Sequence, residues 1–212
     1  MKQFLNRNSA GEELAKKLTI YKNKPCVVLA IPRGGVPVGF EVSKALNCPL
    51  GLAWVKKIGH PLMRELAIGA VSQDDSFIDY KSIVSDQYIQ SEIQRIRSRF
   101  EEMKKIVQDQ TEEIDLKDKI LLLIDDGIAT GHTILAGIHL LRKKNPAKII
   151  VATPVAPEDA IQKLNSVADE VVVLYIPEFF TGISGFYSDF TQLEDEDVRH
   201  YLNRANKQNI HL

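Results

Sequence analysis

One short run holds most of the chemistry this sequence offers: Asp125-Asp126-Gly127-Ile128-Ala129-Thr130-Gly131-His132-Thr133. Two adjacent carboxylates can hold sugar hydroxyls or a magnesium ion. The glycine- and threonine-bearing loop behind them presents backbone N–H groups, and Thr130 and Thr133 add hydroxyl donors. Such a loop, opening into a helix, binds phosphate. Carboxylates would repel that phosphate, so the pair and the loop serve different parts of one ligand. A phosphorylated sugar fits, with phosphate on the loop and diol on the acids.

The flanking residues supply the elements that must position this run. Ile120 to Ile124 is apolar throughout, as in a strand buried on both faces of a parallel sheet. Beyond Thr133, Ile134, Leu135, Ile138 and Leu141 recur at helical spacing. A second strand-to-helix turn lies upstream. Cys26 to Ile31 reads as a strand, Pro32-Arg33-Gly34-Gly35 as the turn, and Pro37 as the entry to a helix. The glycines let the chain approach a ligand closely, and Arg33 suits a pyrophosphate, which accepts bidentate bonds. Further strands are expected over Leu50 to Val55, Ala67 to Ser72, Ser76 to Tyr80, Lys148 to Thr153 and Val171 to Tyr175. Helices are expected from the Ser9–Glu12 capping box to Tyr21, and over Ser85 to Glu113, Glu158 to Leu164 and Asp195 to Leu202. The charges of Ser85 to Glu113 read as a solvated face, and Asp74-Asp75 as turn chemistry. This alternation gives an α/β fold, a parallel, doubly wound central sheet, with ligands at the carboxyl ends of its strands.

The strand, acid pair and Thr-Gly-x-Thr loop resemble the phosphoribosyl pyrophosphate (PRPP) signature of type I phosphoribosyltransferases. PRGGVPVG and ELAIGAV resemble an uncharacterised branch of that family. The resemblance implies one domain over residues 1–212 and Mg²⁺-dependent transfer of a phosphoribosyl group from PRPP to a nitrogenous acceptor. It implies that Asp125 and Asp126 hold the ribose hydroxyls and magnesium, the metal mostly through PRPP and water. Gly127, Ile128, Ala129, Thr130, Gly131, His132 and Thr133 would then complete the PRPP site. Arg33, Gly34 and Gly35 would bind pyrophosphate, with a non-proline cis peptide at Arg33–Gly34. Lys56 and Lys57, with Arg64, would lie on a mobile catalytic loop between Lys56 and Glu65 that closes over the reaction centre. The alternative for that loop is a solvated basic turn. His60 reads as catalytic or simply exposed. A hood over the sheet edge would recognise the acceptor. The aromatic segment from Ile176 to Phe190, with Phe179, Phe180 and Tyr187 as stacking faces, fits that hood, as does Phe4 to Arg7. The same segment also reads as a plug over the sheet.

At 212 residues, with 44% hydrophobic and 26% charged content, the chain is long enough for a core without a disulfide or metal staple. Cys26 and Cys48 read as reduced structural thiols. A net charge of −1 gives no general case for nucleic acid or membranes. The partners expected are PRPP and a small-molecule acceptor, in a cytoplasmic homodimer of the kind this family commonly forms.

One departure is informative. Purine-type members often carry an aspartate base just before Thr-Gly, and here that residue is Ala129, which disfavours a purine acceptor handled in that way. His132 is open to two roles, a phosphate contact or a loop cap. Two rival functions remain: a PRPP- or nucleotide-sensing protein without transfer, and a phosphoribosyl hydrolase.

Overall fold

Five parallel strands set the frame. A computed structural model describes residues 3–63, 66–78, 84–107 and 114–209. The strands β1 (Cys26–Ala30), β2 (Leu50–Leu52), β6 (Ile120–Ile124), β7 (Lys148–Val155) and β8 (Glu170–Tyr175) lie in the order β2-β1-β6-β7-β8. β1 and β6 run in register from Cys26 opposite Ile120 to Ala30 opposite Ile124. Their carboxyl ends therefore stand side by side, and the turns after them are neighbours.

Alternation along these strands builds two cores. Val28, Ala30, Leu122, Ile124, Ile150 and Ala152 face α1 (Arg7–Lys17), α2 (Gly35–Leu46) and α6 (Asp195–Asn209). Val27, Leu29, Leu121, Leu123, Ile149 and Val151 face α4 (His132–Arg142) and α5 (Glu158–Asn165). Both faces of the central strands are covered, which is why they read as unbroken apolar runs. Cys26 and Cys48 are buried free thiols in the first core.

A second, antiparallel sheet joins β3 (Val55–Gly59), β4 (Ala67–Ser72) and β5 (Ser76–Ile78) in that order. Ile58, Ile68 and Val71 pack on α3 (Asp86–Val107), while Val55 and Ala70 pack on Ala136 and Leu140 of α4. This corrects one expectation. Leu50 to Val55 is not a single strand: β2 stops at Leu52, and Val55 starts the new sheet. Lys56 and Lys57 accordingly sit on a paired strand rather than in a loop. Asp75 closes the β4–β5 turn, its carbonyl accepting the Ser72 N–H at 2.8 Å. Arg64, Glu65, Tyr80 and the end of the stretch expected to run to Glu113 lie outside the described residues.

α1 starts two residues before the expected cap. Asn6 is its N-cap, and the Asn6 and Ser9 side chains each accept the other's backbone N–H. Glu12 plays no part because the helix is already under way. β7 also continues through Pro154 to Val155.

The N-terminal segment is stitched to the chain near its other end. Phe4 N–H donates to Phe186 O, Ser188 N–H to Phe4 O and Asp189 N–H to Leu5 O, at 2.8, 2.8 and 2.9 Å. Phe4 is 1% exposed, against Tyr187 and Phe186 in a small core of its own. Phe4→Ala should therefore destabilise the protein by about 3–5 kcal/mol, measured by urea unfolding. A loss under about 1 kcal/mol would mean that the segment contributes little to the folded state.

Candidate active site

The two turns at the ends of β1 and β6 pack directly on each other. Gly35 N–H bonds to Ile31 O at 3.0 Å, and Ile31 N–H to Ile124 O at 2.8 Å, so the Pro32–Gly35 turn lies across the end of β6. A Cβ on Gly34 would stand 2.2 Å from Asp126 Oδ2, and one on Gly35 would stand 2.5 Å from Ile124 O. The glycines are there because one turn's backbone occupies the space beside the other turn's carboxylate. A non-proline cis peptide is present, but at Pro32–Arg33, one residue before the expected Arg33–Gly34.

The acids have different surroundings. Asp126 is 6% exposed. Its Oδ2 accepts the Arg7 Nε–H at 2.7 Å, and its carbonyl accepts the Tyr187 hydroxyl at 2.6 Å. Arg7 also donates from Nη1 to Thr191 O at 2.9 Å, and its guanidinium lies 3.8 Å from the centroid of Phe190. Asp125 keeps partial exposure as a residue, and its Oδ1 accepts the Asp126 N–H at 2.9 Å. Burial pushes the Asp125 carboxyl well above the ordinary carboxylate range, and the Asp126 charge adds to the rise. Burial raises Asp126 too, opposed by the hydrogen bond and charge of Arg7. The sequence alone places Arg7 among the hood candidates and gives no sign of its bond to Asp126. A contact between residues 119 positions apart leaves no local signal.

The phosphate-loop candidates follow in order. Gly131 sits at φ +77°, a conformation that favours glycine. It is the N-cap of α4, and no side chain caps that end. The first-turn amides thus face the loop without a competing side-chain acceptor. Thr130, His132 and Thr133 are partly exposed there, and Ala129 is exposed. Ile183 covers the loop from above, since a Cβ on Gly127 would meet its Cγ2 at 2.5 Å.

A family model for the phosphoribosyl transferase domain matches residues 2–191. The chain belongs to this phosphoribosyl transferase family. A Mycobacterium tuberculosis (strain H37Rv) protein, provisionally named a phosphoribosyl transferase, is 36% identical over 219 residues, 98% of this chain and 48% of that one. The chain thus spans about half the length of that curated relative. The crystal structure of TT1426 from Thermus thermophilus superposes with a TM-score of 0.85 at 33% identity, covering 95% of this chain and 98% of that one. A ribose-phosphate pyrophosphokinase of Pyrococcus furiosus is 40% identical over 62 residues, 28% of this chain and 22% of that one.

Against the type I pattern, the remaining expected residues divide. Arg33 stands at the turn after β1, but its Nη1 donates to Glu194 Oε2 at 2.7 Å. Lys56 and Lys57 point to opposite faces of the small sheet: Lys56 pairs with Val71 on the α3 side, and Lys57 with Ala70 on the α4 side. The two lysines are therefore not a matched pair over one ligand. His60 is 7% exposed, and its Nδ1 accepts the Leu62 N–H at 3.2 Å. It is a turn residue and not an exposed one. In the hood segment, Tyr187 offers no free face, since Phe4 and Phe190 lie 5.5 and 5.1 Å from it centroid to centroid. Phe180 is half-buried and stacks on Phe186, whereas Phe179 is 78% exposed. Of the three aromatics named, Phe179 and the rim of Phe180 remain open to a ligand.

The raised Asp125 carboxyl has a definite consequence for stability. A carboxyl that holds its proton more tightly folded than unfolded stabilises the fold at low pH. That stabilisation is lost as pH rises from the ordinary carboxylate value, about 3.9, through the raised one. Asp125→Asn should therefore stabilise the ligand-free protein at pH 7.5, on the order of 1 kcal/mol or more. The gain should vanish near pH 4. Equal melting differences at both pH values would contradict this account of the acid pair.

Proposed function

We propose that this chain transfers the phosphoribosyl group of PRPP to a nitrogenous, base-like small molecule and releases pyrophosphate. One observation carries the reading: the acid pair ends β6 beside the Pro32–Gly35 turn and just before the side-chain-uncapped start of α4. A sugar diol, its 5′-phosphate and a pyrophosphate can thereby be held at one sheet edge.

The residues divide the work by charge. The loop from Gly127 to Thr133 would bind the 5′-phosphate through backbone N–H groups and the Thr130 and Thr133 hydroxyls. Asp125 and Asp126 would accept the ribose hydroxyls, and their negative charge would favour positive charge at ribose C1 as pyrophosphate departs. Gly34 and Gly35 would let the pyrophosphate approach the backbone, with Arg33 turning from Glu194 to meet it. Catalysis of this kind is mainly positioning and electrostatics. No group of three or more His, Cys, Asp or Glu is placed to hold a metal ion among the described residues. The two aspartates fit a magnesium ion that takes most of its oxygens from PRPP and water, and that ion would neutralise the leaving phosphates. Lys56 is the better candidate of the two lysines for the leaving-group side. Phe179 and Phe180 would offer the acceptor face. A homodimer and a cytoplasmic location belong to this reading through the family; no helix among the described residues is long and apolar enough to cross a membrane.

The Arg7–Asp126 pair favours a second reading, a PRPP-sensing protein without transfer, because one oxygen of the second acid is already engaged. Calorimetry separates the outcomes. PRPP should bind wild type in the presence of Mg²⁺, and Asp125→Asn should weaken that binding at least tenfold while the protein stays folded. Pyrophosphate release that depends on an added acceptor then establishes transfer, since a hydrolase would release it without one. Magnesium-dependent binding without release from any acceptor would support the sensor, and no PRPP binding would remove both readings.

A further inference from the structure

A cavity of about 480 Å³ lies beside the last turns of α4, away from the acid pair. Its origin can be read from β2. Gly51 stands opposite Leu29 of β1, so both face the α4 side of the sheet, and β2 offers no side chain there. Ile114 reaches over the bare position: a Cβ on Gly51 would stand 3.1 Å from its Cδ1 and 3.2 Å from Leu29 Cδ2. The space between this part of the sheet, Val55 of β3 and Leu140 and Leu141 of α4 is left unfilled. Exposure records the gap. Leu29 and Leu141 are 4% and 8% exposed, whereas Leu121 and Leu123 of the same layer are at 0%. Leu141 lies eight residues beyond Thr133, about 12 Å along the helix from the phosphate-loop candidates. None of the described residues lining the cavity belongs to the acid pair, the glycine turn or that loop.

The lining defines what would fit. The volume is that of a small-molecule site, about 300–1,000 Å³. Most of the wall is apolar, and Trp54, which leans on Phe100 of α3 at 5.8 Å and 68°, adds an aromatic surface. Gln73 also lines the cavity, and its Nε2 is shut off from solvent with no hydrogen-bond partner. A buried donor left unpaired is costly, and an acceptor brought within its reach removes that cost. The exposed lining residues are two acids and two bases: Asp74 and Lys144, 3.6 Å apart, with Asp115 and Lys117. Such a rim has no net charge and favours neither an anion nor a cation.

We propose that this cavity is a second small-molecule site, and that it takes an uncharged, flat, bicyclic heterocycle carrying a ring carbonyl. The rings would pack between Leu29 and the Leu140–Leu141 wall, beside Trp54. The carbonyl would accept from Gln73 Nε2 after a small turn of that amide. The proposal does not depend on the phosphoribosyl reading, because the two sites share no residue.

Trp54 is the single tryptophan of the chain, so protein made with 5-fluorotryptophan gives one ¹⁹F resonance, and it reports on this cavity. Oxindole and indole serve as probes. They have the same ring size, and only oxindole carries a ring carbonyl. Both should move the resonance saturably, and oxindole should bind about fivefold more tightly, the equivalent of one net hydrogen bond. Gln73→Leu should abolish that preference and leave indole affinity unchanged, with melting curves confirming the fold. The comparison of the two probes on wild type decides the point even if that variant does not fold. No saturable shift with either probe overturns the site. Equal affinities in wild type, or a preference that survives Gln73→Leu, overturn the carbonyl contact that selects the ligand. A resonance that moves with protein concentration instead would mean that a second copy of the chain covers the cavity, and would also overturn the proposal.

Discussion

The ion pair between Arg7 and Asp126 is the contact on which the site depends. Asp126 is nearly buried, and a buried carboxylate without a partner is costly. Arg7 meets that need from the first turn of the first helix, and the position of that turn is set by the Asn6–Ser9 cap. The same guanidinium reaches Thr191 O and lies on Phe190. One side chain thereby ties the start of α1, the acid pair and the segment leading to α6 into one unit. Gly34 closes the other side, since any side chain there would collide with the carboxylate. The turns after β1 and β6 can touch only because Asp126 is clamped and Gly34 is bare.

Charge is sorted along this edge of the sheet. The acid pair stands at the end of β6, with the start of α4 just after it and the Pro32–Gly35 turn packed against it. A donor with a diol between a monophosphate and a diphosphate matches that order. In the free protein each group is held by a neighbour: Asp126 by Arg7, Arg33 by Glu194, Arg99 by Asp195. These internal partners keep like charges from being left exposed to one another, and an incoming ligand must exchange with at least some of them.

The sequence revealed what is periodic or contiguous. The central strands announce themselves by unbroken apolar runs because both their faces are covered. The acid pair, the Thr-Gly loop and the glycine turn are local, so their order along the chain already placed them at one edge. What stayed hidden depends on contacts distant in sequence. Lys56 and Lys57 carry no alternating apolar pattern, because their strand belongs to a small sheet with one lysine toward each flanking helix. Tyr187 looked like a stacking face, yet its ring is enclosed by Phe4 and Phe190 and its hydroxyl serves the Asp126 carbonyl.

The acid pair also shows why such a site is held by so many contacts. Burial and the neighbouring Asp126 charge raise the proton affinity of Asp125, while Asp126, itself raised by burial, is eased by Arg7. The fold tolerates this through Arg7, through the Asp126 N–H on Asp125 Oδ1, and through the Thr153 hydroxyl on the Asp125 carbonyl at 3.2 Å. Arg7 offsets part of the cost at Asp126, and the other contacts fix the geometry of the pair. On the proposed reading, hydroxyls and cations brought by the ligand would replace the water that burial has taken from these acids. The Arg7 bond to Asp126 and the Tyr187 hydroxyl on its carbonyl hold that geometry in the ligand-free protein, so the cost of forming it is met by folding and not by the ligand.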